Sequence, residues 1–145
     1  MNFEDTFVTS FEDCLTKGKA KVTLINKIRA ISLIKSSKQA IETAKIIPLT
    51  SDSAKSIFRE LYEGLREFCE ALGFLNGYKF SDHISITYFL NDVLREESIS
   101  KKFDRLRRLR NGANYYGDDL DVETVKESLK EIPNLIKQLE KYGIS

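Results

Sequence analysis

Apolar residues between Ala54 and Leu72 recur every three or four positions, for about five helical turns. A period near 3.6 residues places them on one side of a helix, and a stripe this broad has to pack against other helices. The same spacing returns between Val122 and Leu139. No segment alternates apolar and polar residues for long enough to predict a strand. The sequence therefore predicts an all-α fold.

Further helices are predicted over about residues 5–17 and 19–46, after the capping residues Ser81 and Asp82, and from Lys101 onward. In the 19–46 helix, the first half of the apolar face is expected to consist of Leu24, Ile28, Ile31 and Ile34. Two adjacent serines weaken the middle of this helix, so a kink is expected there.

The chain has 145 residues and a net charge of +1, with 41% apolar and 31% charged residues. These values are typical of one soluble globular domain, taken to span residues 1–145. A charge so near zero argues against a general nucleic-acid coat. Any anion-binding role must therefore come from local clustering of basic residues.

Cys14 and Cys69 form no CxxC pair, and one histidine cannot complete a zinc site. We expect two reduced thiols in the core, with no metal and no cofactor. The amino terminus carries early acids and no long apolar run, which is typical of neither a signal peptide nor a membrane span. A cytoplasmic location and no membrane partner are the default expectations.

The segment from Lys101 to Gly117, KKFDRLRRLRNGANYYG, is locally basic, because six of its first ten residues are Lys or Arg. Its apolar residues share one helical face: Phe103, Leu106, Leu109, Ala113 and Tyr116. A polar stripe lies beside that face: Arg107, Arg110, Asn111 and Asn114. Burying such a stripe costs desolvation and side-chain entropy, so it needs a partner. Gly112 is expected to interrupt the helix.

Arg110 and Asn111 are residue types suited to holding a phosphate group. Arginine offers a planar fork of donors, and asparagine can hold that fork or bind a second oxygen. On a regular helix Arg110 and Tyr115 lie about 140° apart. They cannot share one narrow face, but both can line a broad cleft formed by two copies across a twofold axis.

With these residues the chain resembles the HEPN family of small helical domains. The family signature is an arginine, a polar residue such as asparagine, and a histidine four to six residues later; Arg110 and Asn111 match its first two positions. The segment GYKFSDHISITYFL, residues 77–90, is similar to the family's third helix and the turn before it. The resemblance covers about residues 15–142. It implies an antiparallel bundle of four to five helices, a homodimer and, in many members, a metal-independent ribonuclease.

The resemblance implies a composite cleft in which Arg110 steadies the scissile phosphate and Asn111 positions it. Further phosphate or RNA contacts are expected from Arg107, Asn114 and Tyr116. The family's histidine is missing, and Tyr115 (or Tyr116, with a longer spacer) stands in its place as the catalytic candidate. A tyrosine titrates near pH 10, and losing acid–base assistance costs about 10²- to 10⁴-fold in rate. His83, the only histidine, is a candidate accessory residue, although a structural role is the plainer interpretation.

Three functions follow from these observations. The favoured one is a dimeric module with weak or no catalysis that binds a nucleotide or RNA phosphate, linked to a minimal nucleotidyltransferase in a toxin–antitoxin-type system. The second is a metal-independent RNA endonuclease of the toxin type. The third is a helical scaffold or protein-interaction domain whose basic helix makes only surface salt bridges.

Overall fold

The computed structural model describes residues 8–115 and 120–144, and most of them are helical. In chain order the elements are α1 (Phe11–Thr16), β1 (Ala20–Val22), α2 (Lys27–Ile46), α3 (Ala54–Leu75), β2 (Tyr78–Phe80), α4 (Ile84–Tyr88), α5 (Glu97–Tyr115) and α6 (Val122–Leu139). A π-helical turn, Phe89–Val93, extends α4, and a 3-10 turn, Glu140–Tyr142, follows α6. The prediction of a mainly helical fold is confirmed. None of the described helices is long and apolar enough to cross a membrane.

The first residues of the helix predicted over 19–46 are not helical. They form strand β1, which pairs with β2 in a short antiparallel sheet. The register pairs Ala20 with Phe80, Lys21 with Lys79 and Val22 with Tyr78. The backbone N–H of Thr23 then donates to the carbonyl oxygen of Gly77 at 2.8 Å. Gly77 has a φ of +81°, a conformation that glycine adopts readily. The prediction of no strand was wrong here, because three residues per strand are too few for alternation to be visible.

Helix α2 packs a face rich in small residues against α3. Its buried residues are Ala30, Leu33, Ser37, Ala40, Ile41 and Ala44. Gly64 of α3 permits the close approach, since a Cβ at this position would lie 2.8 Å from Ile41 Cδ1. The apolar face predicted for the first half of the helix was therefore wrong at three of its four residues, whereas the fourth, Ile34, is partly buried against the core. Leu24 is 87% exposed, Ile28 is 84% exposed, and Ile31 is exposed as well.

The two serines in the middle of α2 do not interrupt the helix. Ser37 is buried and donates its hydroxyl proton to the carbonyl oxygen of Gly64 at 2.6 Å. Because the hydroxyl has this partner on α3, it does not compete for the backbone of α2. Helices α2 and α3 run antiparallel. Ser37 contacts Gly64, whereas the earlier residue Ala30 lies in one cluster with the later residue Ala71.

Helix α3 lies at the centre of the core, where it contacts α2, α5, α6 and β2. Its fully buried side chains include Ile57, Phe58, Leu61, Leu65 and Leu72. Helix α6 adds much of the apolar seam that its spacing predicted, with Val125, Ile132 and Leu139 buried. Cys14 and Cys69 are buried free thiols, as predicted.

Helix α5 carries the basic residues and continues through Gly112 to Tyr115. The predicted break at Gly112 was wrong. A glycine inside a helix costs only about 1 kcal/mol relative to alanine. The packing of Phe103, Leu106 and Ala113, all of which are buried, offsets that cost.

Candidate functional site

Arg110 lies over an aromatic ring where α5 meets α3. Its guanidinium carbon is 5.9 Å from the centre of the Tyr62 ring, within the range of a cation–π contact. Its Nη1 atom is 3.5 Å from Oδ1 of Asn111, which makes a long hydrogen bond. Arg110 is half-buried and Asn111 is buried. The arginine is thus positioned by its neighbours, while part of it stays accessible to a ligand.

The Tyr62 ring is positioned in turn by His83, the residue before α4. Tyr62 Oη and His83 Nδ1 are 2.8 Å apart, and the two rings meet edge to face with centroids 5.6 Å apart. Phe103 of α5 also meets the Tyr62 ring edge to face, at 5.8 Å. Side chains from α5 and from the residue before α4 therefore converge on one buried tyrosine of α3.

The protonation states follow from this geometry. Burial, followed by the positive charges of Arg110 and Arg66, lowers the pKa of His83 to about 4. Burial also raises the pKa of Tyr62 well above its ordinary value. At neutral pH both rings are uncharged, and Arg110 supplies the positive charge of the group.

A cavity of about 270 Å³ lies beside Arg110, open to solvent between α3 and α5. Its lining residues are Arg59, Glu60, Tyr62, Glu63 and Arg110. His83 instead lines a depression of about 170 Å³ together with Arg66 and Asp82. Arg110 and His83 are linked through Tyr62 but open onto different depressions.

Arg107 lies in the interior, away from any surface that RNA could reach. It is 0% exposed, and its Nε and Nη2 atoms donate to Asp104 Oδ1 at 3.0 and 2.8 Å. Burial by itself raises the pKa of Asp104, but hydrogen bonds from Arg108 and Arg107 hold that pKa below its ordinary value. A buried guanidinium already paired with Asp104 does not fit the predicted phosphate contact of Arg107. The periodicity of α5 did not reveal which edge of its polar stripe faces the core.

Three other predicted site residues lie at the end of α5 or beyond it. Asn114 and Tyr115 belong to the helix, but their side chains are outside the described part of the chain. Tyr116 is outside the described residues altogether. The roles expected of these three residues stay predictions.

The charged surface of α5 holds a second depression, of about 590 Å³. Its lining residues are Lys101, Asp104, Arg105, Arg108, Leu109, Gly112 and Leu120. Each of its three cations has an acidic partner: Lys101 pairs with Glu97, Arg105 with Glu131 and Arg108 with Asp104. Its positive charge is therefore largely compensated. The lining of the Arg110 cavity is balanced as well, with two arginines and two glutamates, and what distinguishes it is the guanidinium held over the Tyr62 ring.

Sequence reasoning missed Tyr62, which it assigned to the apolar stripe of α3. The available signal was the hydroxyl, because a buried tyrosine usually needs a hydrogen-bond partner. Among the described residues, no cluster of three or more histidine, cysteine or acidic side chains has the arrangement of a metal site.

Comparisons of the chain with protein-family models, with curated proteins and with solved structures found no match. The class of protein must therefore be defined by the fold and the site themselves. This is a mainly helical protein in which a half-buried arginine on α5 lies over a tyrosine that a neutral histidine holds in place.

Proposed function

We propose that the chain is a HEPN-like, dimeric helical module of the cytoplasm that binds a phosphate group of a nucleotide or RNA, with weak or no catalysis. The observation that carries this proposal is the half-buried guanidinium of Arg110 over the Tyr62 ring, beside an open cavity. A guanidinium fixed on a ring loses little freedom when it binds, and its planar fork of donors matches two phosphate oxygens.

The protonation state of His83 favours binding over catalysis. A general base works best when its pKa is near the working pH, and the pKa of His83 is about 4. Its Nδ1 atom is engaged with Tyr62, and its ring lines a different depression from that of Arg110. Its geometry suits a positioning residue that holds the tyrosine beneath the arginine.

A metal-independent RNA endonuclease is the second candidate, and the link from Arg110 through Tyr62 to His83 favours it. A phosphate bound to Arg110 would offset the charge that lowers the pKa of His83, and would move that pKa toward neutrality. In that reaction Nε2 of His83 would take the proton from the RNA 2′-hydroxyl as the 2′-oxygen attacks phosphorus. The 5′-oxygen would leave and take a proton from water, which gives a 2′,3′-cyclic phosphate and a 5′-hydroxyl.

The twofold dimer and a nucleotidyltransferase partner come from the resemblance to HEPN domains. In a dimer, the Arg110 cavities of two copies would line one composite cleft, and the end of α5 would bring Tyr115 to it. Asn111 would fix the arginine through its amide oxygen, which lies 3.5 Å from Nη1.

Binding of labelled RNA in the presence of a chelator tests the proposal. Arg110→Ala should weaken binding about tenfold to a hundredfold, as for loss of a charge-assisted hydrogen-bond pair. Arg105→Ala is the matched control, because it removes the same charge from α5 at a residue already paired with Glu131. Arg110→Lys keeps the positive charge but loses the planar fork of donors, so its RNA affinity should lie between those of Arg110→Ala and Arg105→Ala.

The outcomes separate the candidate functions. Cleavage that needs both Arg110 and His83 would favour the endonuclease. Equal binding by the wild type and Arg110→Ala, with stability changes within about 0.5 kcal/mol, would favour the scaffold. Binding that responds to Arg105→Ala but not to Arg110→Ala would place RNA in the second depression and end the proposal.

A further inference from the structure

The exposed large aliphatic side chains of the described residues are concentrated in one short segment. Five of the seven lie between β1 and the second turn of α2: Val22, Leu24, Ile25, Ile28 and Ile31. Single exposed aliphatic residues are ordinary, but five within ten residues of one ordered segment point to a binding surface. We call these five residues the aliphatic patch.

The aliphatic patch is held rigidly although its side chains face solvent. The backbone N–H of Thr23 donates to Gly77, and that of Asn26 donates to the carbonyl oxygen of Phe74. The Asn26 side chain caps α2 by accepting from the N–H of Arg29 at 2.9 Å. An open depression of about 650 Å³ runs along the patch, with residues 76–78 as its second wall. The exposure is therefore a property of the folded chain.

The chain segment that carries the aliphatic patch has charges of a single sign. Residues 14–41 contain seven lysines and arginines and no acid, in a chain whose net charge is +1. Five of these cations are exposed and form no ion pair with the described residues: Lys21, Lys27, Arg29, Lys35 and Lys38. A second copy docked by the same face would bring like charges together, which is unfavourable. The occupant has to be negatively charged.

The chemistry of the side chains narrows the anionic occupant. Nucleic acid is disfavoured, because its bases stack on aromatic rings and aliphatic side chains offer it nothing comparable. Protein interfaces are enriched in Tyr, Trp, Phe and Met, whereas all five residues of the aliphatic patch are Val, Leu or Ile. Leu24 and Ile28 are 87% and 84% exposed, and the depression beside Leu24 is open, so both side chains remain accessible to a bilayer.

We propose that this face docks on a lipid bilayer containing anionic lipid. The aliphatic patch would enter the boundary between headgroups and acyl chains, and the surrounding cations would lie among the headgroups. Such docking keeps the chain at the membrane surface and requires no membrane-spanning helix. It rests on residues of β1 and α2 and is independent of the Arg110 cavity.

Flotation of the full chain with phosphatidylcholine vesicles, with and without phosphatidylserine, tests the proposal. We expect binding to the mixed vesicles, little binding to phosphatidylcholine alone, and weakening by added salt. The double variant Leu24→Gln with Ile28→Gln should weaken binding at least tenfold. Ile46→Gln is its matched control, because Ile46 is a 79% exposed isoleucine of the same helix outside the patch.

A second set of variants tests how much the exposed lysines contribute to vesicle binding. Removing Lys21 and Lys27 by substitution with Gln should weaken binding about fivefold for each lysine. Lys126→Gln removes one exposed charge on α6 and should change nothing.

Failure to bind mixed vesicles would overturn the proposal, as would equal binding to both vesicle types. Self-association that disappears in the Leu24 and Ile28 double variant would assign the patch to a second copy. Binding of an acidic amphipathic peptide without vesicle binding would assign it to an acidic protein.

Discussion

The pKa of His83 reports directly on the geometry of the candidate site, and the chain contains only this histidine. The native pKa of about 4 lies well below the ordinary 6.5, because of burial and then the positive charge of Arg110. An NMR titration of the His83 ring protons therefore follows one resolved signal. We expect its midpoint near pH 4 in the folded protein.

The same pKa sets a pH dependence of stability with a definite sign. In the unfolded chain His83 takes up a proton near pH 6.5, whereas in the native state it stays neutral down to about pH 4. The stabilisation that neutral His83 gives the folded state is therefore complete above pH 6.5 and is lost as the pH falls from 6.5 to 4. The loss is at most about 3 kcal/mol, because solvent partly screens a half-buried group. Urea unfolding at pH 7 and pH 4.5 should show a smaller difference for His83→Asn than for the wild type.

Substitution of Arg110 shows how much of the lowering of the His83 pKa is due to the charge of this arginine. Arg110→Met should raise the pKa of His83 only part of the way to 6.5, because burial remains. Inorganic phosphate should raise the pKa in the wild type but not in Arg110→Met, and Arg105→Met should leave it unchanged. A His83 titration midpoint near pH 6.5 in the wild type would refute the arrangement of Arg110, Tyr62 and His83. So would a midpoint that is the same in the wild type and in Arg110→Met.

Three further predictions concern stability. Asp104→Ala removes the carboxylate that holds the buried Arg107 and should lower the unfolding free energy by about 3 kcal/mol; chemical denaturation would measure it, and a loss below 1 kcal/mol would contradict the ion pair. Tyr62→Phe removes the partner of His83 and should cost about 1 kcal/mol by the same assay; an unchanged midpoint would argue against the hydrogen bond. Gly64→Ala should lower the melting temperature despite better helix propensity, because the new Cβ would lie 3.1 Å from the Ser37 carbonyl oxygen. Adding Ile41→Val should restore part of the loss if that packing is correct.

The pattern of α2 shows why the fold was only partly predictable. Ile28 and Ile31 suggested an apolar face, but both are exposed. The first half of the helix instead meets α3 through Ala30, Leu33 and Ser37. Small residues allow two backbones to approach closely, and Gly64 completes the fit from the other helix. Periodicity records which residues share a face, and it does not record how closely a neighbour can approach.

The candidate site shows the same limit at the level of single residues. Arg107 and Arg110 are one turn apart on α5, yet the first is buried on Asp104 and the second lies half-buried over Tyr62. The sequence marked Arg110 as a phosphate ligand and named His83 as the accessory candidate. The hydroxyl of Tyr62 indicated that this residue needs a hydrogen-bond partner, but periodicity alone could not show that the partner is His83.

The sequence by itself determined the helical content, the long apolar stripe of α3 and the basic character of α5, because these depend on spacing along one segment. Only the tertiary structure decided which side of each helix is covered, because packing depends on the shape of residues distant in the chain. It turned Ile28 and Ile31 of α2 outward. It also joined Tyr62, His83 and Arg110 from three separate segments.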